Sequence, residues 1–182
     1  MTRRRTAKGE APGEQGALPA VYGESVSFLL TATANEVVSS TSFLFLNLYG
    51  IGVIEQRILS LLYLEPNIRI MRVCLVSRMD KSVVSRAFTR LEKKGYVVRS
   101  GGGIDGRRAL WALTPSGVDL CEKLKAHLVR RQELLTNNFS SVEEAALIVL
   151  LQKVLSNVTL FSEYSVEQVS LHNPSKKAED IS

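Results

Sequence analysis

Residues 99–108 read RSGGGIDGRR and contain a G-x-G-x-x-G spacing at Gly101, Gly103 and Gly106. Glycines spaced in this way cradle a pyrophosphate when a strand enters the turn and a helix leaves it with its N-terminal amides aimed at the phosphates. Here YVVR at 96–99 reads as a strand, and ALWAL at 109–113 reads as a second strand. The glycine run is therefore the tip of a hairpin. No helix dipole faces it, and the nucleotide reading fails on context. A glycine-rich tip carrying Arg107 and Arg108 suits a different chemistry. Its backbone approaches a nucleic acid closely, and its guanidinium groups enter a narrow minor groove. A merely solvated turn would not explain why two arginines sit at the tip beside a basic helix.

That helix is the second set of chemistry-bearing residues. Asp80 has the residue type of an N-cap, and the helix runs to about residue 94, with Gly95 closing it. Val84, Ala87, Phe88 and Leu91 form an inward stripe, while Lys81, Ser82, Ser85, Arg86, Thr89, Arg90 and Lys93 face outward. Glu92 is the only acid after the cap, whereas a purely structural surface helix usually mixes glutamate with lysine. Residues 68–108 hold eleven basic and three acidic side chains, a net +8. The rest of the chain is then −3 within a total of +5. Charge concentrated in one segment, with cations for phosphates and short hydroxyls for base edges, is the footprint of a nucleic-acid partner.

Other chemistries lack their residues. Cys74 and Cys121 are far apart, as are His127 and His172, so neither a metal site nor a disulfide framework is expected. A reducing cytoplasm is the expected compartment, and Cys74 reads as a core residue. No nucleophile–base pair or paired carboxylates point to an enzyme; Glu143 and Glu144 read as helix-start charges. No cofactor is expected. The basic start at 2–8 is not followed by the apolar stretch of a signal peptide. The apolar run 43–54, interrupted by Asn47, is too short to cross a bilayer, so no membrane partner is expected.

The elements that must position these groups follow from periodicity. Residues 1–20, rich in Arg, Gly, Pro and Glu, read as a disordered basic arm. Residues 24–48 read as a long helix ended by Gly50 and Gly52, and 53–64 as a second helix with Ile54, Ile58, Leu61 and Leu62 on one face. Glu65-Pro66-Asn67 stops it. A short third helix over 68–78 turns Ile70, Val73 and Cys74 inward. After the hairpin, Thr114 caps a helix with Pro115 in its first turn, carrying Val118, Cys121, Leu124 and Leu128 to about 136. Ser141 and Glu144 have the spacing of a capping box opening a final helix. That helix is apolar nearly all round through Leu155, so another subunit is its expected cover. Beyond about 164 the chain turns polar.

Helix, helix, turn, basic helix, hairpin is the order of a winged helix-turn-helix. DKSVVSRAFTRLEKKGYVVR followed by IDGRRALWALTPSG strongly resembles the MarR (multiple antibiotic resistance regulator) family of bacterial transcription factors. The shared features are Asp80-Lys81-Ser82 with Val84-Ser85-Arg86, Leu91-Glu92 with Gly95, Asp105 with Arg107, and Leu113-Thr114 with Gly117. The likeness covers roughly 21–164. It implies a mainly α fold with a two-stranded wing, a DNA-binding lobe at about 53–113, dimerisation helices at about 24–48 and 115–158, and a polar tail at 165–182. It further implies a homodimer on double-stranded DNA, most often as a repressor. Lys81, Ser82, Val83, Ser85, Arg86 and Thr89 or Arg90 would face bases and phosphates in the major groove. Arg107, with Arg108, would lie at the minor groove, and Asp105 would hold the wing through an arginine. Release by a small aromatic effector is a family habit. Two positions depart from the pattern: Arg78 stands where the turn often has Gly, and Gln56 where the second helix often has Trp. The alternative reading is a winged helix used for protein–protein contact without specific DNA binding.

Overall fold

The structure, a computed structural model, describes residues 20–100 and 109–172. The chain divides into two compact units, one ending at Leu124 and the other starting at Lys125. The order is α1 (Ala20–Gly23), α2 (Val26–Tyr49), α3 (Val53–Leu64), α4 (Ile70–Ser77), α5 (Lys81–Lys93), β1 (Val97–Ser100), β2 (Leu110–Leu113), α6 (Pro115–Leu135) and α7 (Ser141–His172). This is a winged helix-turn-helix, mainly helical with one two-stranded antiparallel sheet. The tip of the wing, with the glycine run, Asp105, Arg107 and Arg108, lies outside the described residues. So do residues 1–19 and 173–182.

In the first unit, α2 begins where the Ser25 hydroxyl accepts the Phe28 amide at 3.3 Å. It ends at Gly50, whose left-handed backbone (φ 65°) lets its N–H return to the Leu46 carbonyl. Of its 24 residues only Thr41 and Phe45 are buried. α3 occupies the span predicted for it and is stopped at Glu65 before Pro66, which offers no amide. Ile58, Leu59 and Leu62 of α3, Val73 of α4, and Val84, Ala87, Phe88 and Leu91 of α5 close one core. All four inward residues expected of α5 are thus buried.

The sheet pairs Val97 with Leu113 through Ser100 with Leu110. Ile68, expected in the third helix, instead exchanges two backbone hydrogen bonds with Trp111. Pro66 and the left-handed Asn67 (φ 61°) hold the chain extended there, so α4 starts only at Ile70. Trp111 is buried with its ring 4.5 Å from that of Phe88, which fastens the wing base to α5. In α6 the inward face is Gly117, Leu120, Cys121 and Leu124, whereas Val118 is exposed. Gly117 sets that phase. A Cβ there would lie 2.0 Å from the Tyr96 carbonyl oxygen, so only glycine lets the helix sit this close to the strand.

The second unit holds the end of α6 and all of α7. The capping box that opens α7 is one residue earlier than expected. Glu143 accepts the Ser140 amide at 2.8 Å, and the Ser140 hydroxyl accepts the Glu143 amide at 3.3 Å. The Ser140 amide, and after it the Ser140 hydroxyl, which also donates to this carboxylate at 2.7 Å, hold the Glu143 carboxyl below the usual carboxylate range. Glu144 is left to accept from Gln132 instead. α7 also runs eight residues past the expected turn to a polar tail. The hydroxyls of Ser162, Ser165 and Ser170 each donate to the carbonyl four residues back, so these serines do not interrupt the helix. None of its 32 residues is buried. It is long enough, and over 18 of its residues apolar enough (mean hydropathy 1.6), to cross a membrane.

Candidate nucleic-acid interface

The basic face is built by burial of the opposite one. With Val84, Ala87, Phe88 and Leu91 fixed in the core, the 3.6-residue period sends Lys81, Ser82, Ser85, Arg86 and Thr89 outward, and all five are exposed. Val83 is half-buried at the edge of that face. Lys81 and Arg86 make no ion pair among the described residues, so their charge is open to an outside partner. The Thr89 hydroxyl donates to the Ser85 carbonyl at 3.1 Å and keeps its oxygen free to accept. Asp80 is the N-cap, as expected, but its side chain makes no capping hydrogen bond.

Arg90 differs from the others. Its Nε donates to Glu55 Oε1 at 2.7 Å, and Lys94 Nζ lies 3.6 Å from Glu55 Oε2. Lys94 also donates to the Gly50 carbonyl at 2.5 Å. Glu55 is only 4% exposed, and its carboxylate also accepts the Gly52 amide at 2.8 Å. Burial pushes this carboxyl up. The Gly52 amide, the Arg90 guanidinium and the Lys94 ammonium outweigh burial and hold it below the usual carboxylate range. One carboxylate therefore joins the start of α3 to the end of α5, and Lys94 extends the link to the end of α2 through the Gly50 carbonyl. Of the two alternatives for the last contact on that face, Thr89 is free and Arg90 is largely committed to Glu55.

Sequence reasoning missed Glu55, although its signal was present: an acid three residues into a helix that begins at a glycine. It also left Thr114 as a simple cap. The Thr114 hydroxyl donates to the Gly95 carbonyl at 2.6 Å and accepts the Gly117 amide at 3.1 Å. The end of α5 and the start of α6 are thereby held on one side chain.

The two thiols separate. Cys121 is buried and donates to the Leu59 carbonyl at 3.6 Å. Burial, with the Glu122 charge beside it, pushes the thiol up to about 11. It stays protonated at neutral pH and is a poor nucleophile. Cys74, expected in the core, is only half-buried. No group of three or more metal-binding side chains occurs among the described residues.

A core-locked helix with one open basic face, beside a hairpin, defines a winged helix-turn-helix protein of the nucleic-acid-binding kind. The MarR family model matches residues 49–108, which include α3 to β1. Over that stretch the chain is similar to the MarR family. It is 28% identical to a MarR/EmrR family transcriptional regulator from Acinetobacter sp. ADP1. The match covers 74% of this chain and 94% of that one, with a TM-score of 0.68. MepR of S. aureus, solved as a DNA complex, superposes with a TM-score of 0.65 at 21% identity, over 74% of this chain and 96% of its own. A transcriptional regulatory protein assigned to the hcr operon of Thauera aromatica is 26% identical over 90 residues. That match covers 50% of this chain and 54% of the relative, so the chain spans about half the length of that relative.

Proposed function

We propose that the protein is a DNA-binding transcriptional regulator that acts in the cytoplasm as a homodimer on a pseudo-palindromic site. The carrying observation is the face of α5, where Lys81, Ser82, Ser85, Arg86 and Thr89 are exposed together while the opposite stripe is locked in the core. Arg86 is the base-reading candidate, Lys81 a phosphate anchor, and Ser82, Val83, Ser85 and Thr89 complete the contact. Arg107 and Arg108 are the minor-groove contacts and Asp105 the wing's internal partner, on the strength of the family pattern. So is the repressor role, with release by a small aromatic effector.

The dimer reading is supported by α7. A helix of this apolarity with no buried residue needs a cover, and a second copy supplies one that is itself apolar. Gln152, Lys153, Ser156 and Asn157 interrupt the helix midway and favour a protein cover over lipid, where Lys153 would be costly. A two-fold axis then sets half-sites about one helical turn, roughly 10 bp, apart.

Selection of bound sequences from a random duplex pool tests the proposal. An enriched inverted repeat with that spacing is the expected result. No duplex binding at low salt would move the protein–protein reading to first place.

A further inference from the structure

Four described residues have left-handed backbone: Gly50, Gly95, Asn67 and Arg78. Three are residue types that adopt this conformation readily, glycine for want of a Cβ and asparagine as the most tolerant of the others. Arg78 is neither, at φ 56° and ψ 30°. Its conformation is imposed from both sides. α4 ends at Ser77, α5 is capped at Asp80, and Val73 and Val84 are both buried in the same core. The chain has to reverse within Arg78-Met79-Asp80, and the left-handed step does it. A glycine would make that step with less strain.

Inside the chain the arginine returns nothing for this strain. Its side chain is exposed and makes no ion pair or hydrogen bond among the described residues. Two other arginines of this unit are paired, Arg72 by two 2.8 Å bonds to Glu65 and Arg90 by Glu55, whereas Arg78 is open like Lys81 and Arg86. Strained backbone of this kind persists where it serves a function. Arg78 stands two residues ahead of the N-cap of α5, and the charge of the nearest acid, Asp80, is offset by Lys81, so residues 78–81 are net positive.

We propose that Arg78 is a DNA-backbone contact, its guanidinium clamping a phosphate at the rim of the groove that α5 enters. This rests on the DNA-binding reading above. A guanidinium offers a phosphate two parallel N–H donors, a geometry that lysine cannot match. A phosphate contact also carries no sequence preference, so it adds affinity for any duplex.

The test compares the full chain with Arg78→Gly, Arg78→Asn and Arg78→Lys. Thermal unfolding is measured first, then binding to the selected duplex and to a scrambled one across a salt series. Arg78→Gly is expected to melt about 2–4 °C higher, because the strain is relieved. It is also expected to lower the slope of log affinity against log salt by about 0.9 per protomer. Both duplexes should weaken by the same factor. Arg78→Asn should lose the same slope, and Arg78→Lys should keep it. A glycine variant that melts lower, or that binds with the wild-type slope, would overturn the assignment while leaving the DNA-binding reading intact. A wild-type chain that binds no duplex would bring down that reading as well.

Discussion

α5 and α7 both present a large exposed surface, and they reach it by opposite routes. α5 buries one stripe completely, and that burial fixes its other face as a patch of cations and hydroxyls. α7 buries nothing, and leucine, valine, isoleucine and phenylalanine make up much of its exposed surface. A charged face is stable in water and waits for a ligand. An apolar face of roughly 48 Å, the length of a 32-residue helix, is not stable in water by itself. On the reading proposed above, the first is a reversible site and the second the interface with another copy of the chain. The same distinction separates what each variant should do.

Removing the anchor beneath α5 has the largest expected effect. Phe88→Ala leaves a void beneath α5 and beside Trp111, and should cost about 3–5 kcal/mol in denaturant unfolding. A loss under 1 kcal/mol would mean that α5 is not held by this core. Leu151→Glu places a charge on the apolar face of α7. It should weaken self-association by about a hundredfold, roughly 2.7 kcal/mol, as read by sedimentation, with the melting of α5 and its core largely kept. A wild-type chain that stays monomeric, or needs detergent to remain in solution, would break the contrast.

Glu55→Gln keeps the shape but removes the charge that Arg90 and Lys94 share. It should cost about 1–3 kcal/mol. Because the carboxyl lies below its unfolded value, the stability it contributes is present above the ordinary carboxylate range and is lost as pH falls through the folded value. Wild type and variant should therefore converge in stability below about pH 4; a constant gap down to pH 3 would contradict the ion-pair account. The smallest effect concerns Cys121. With its thiol pushed up to about 11, it should resist alkylation at pH 8 until the protein unfolds. Prompt labelling of Cys121 in the native chain would show that the packing of α6 on α3 is looser than described here.

The inward stripe of α5 was legible because Val84, Ala87, Phe88 and Leu91 repeat at helical spacing between strong punctuators, Asp80 and Gly95. The bounds of α3 were legible for the same reason. Elsewhere local signals competed. Ser140 and Ser141 both precede a glutamate at the capping distance, and only the geometry at the start of α7 selects the first pair. Val118 and Leu120 are equally apolar, and the contact between Gly117 and the Tyr96 carbonyl decides which turns inward. The bridge from Ile68 to Trp111 spans 43 positions and has no local signature. Glu55 reads in sequence as an ordinary early-helix acid; its role depends on Arg90 and Lys94, which the fold brings to it. For the site, the exposed residues of α5 could be named in advance, but the commitment of Arg90 to Glu55 could not.

If the exposed face of α5 reads duplex DNA, Arg86→Ala should show it. Wild type and variant would be titrated with the selected duplex and a scrambled one at two salt concentrations. The variant should lose about 1–3 kcal/mol on the selected duplex and less on the scrambled one, and both proteins should bind more weakly at the higher salt. Equal affinities of the two proteins for both duplexes at both salts would contradict it.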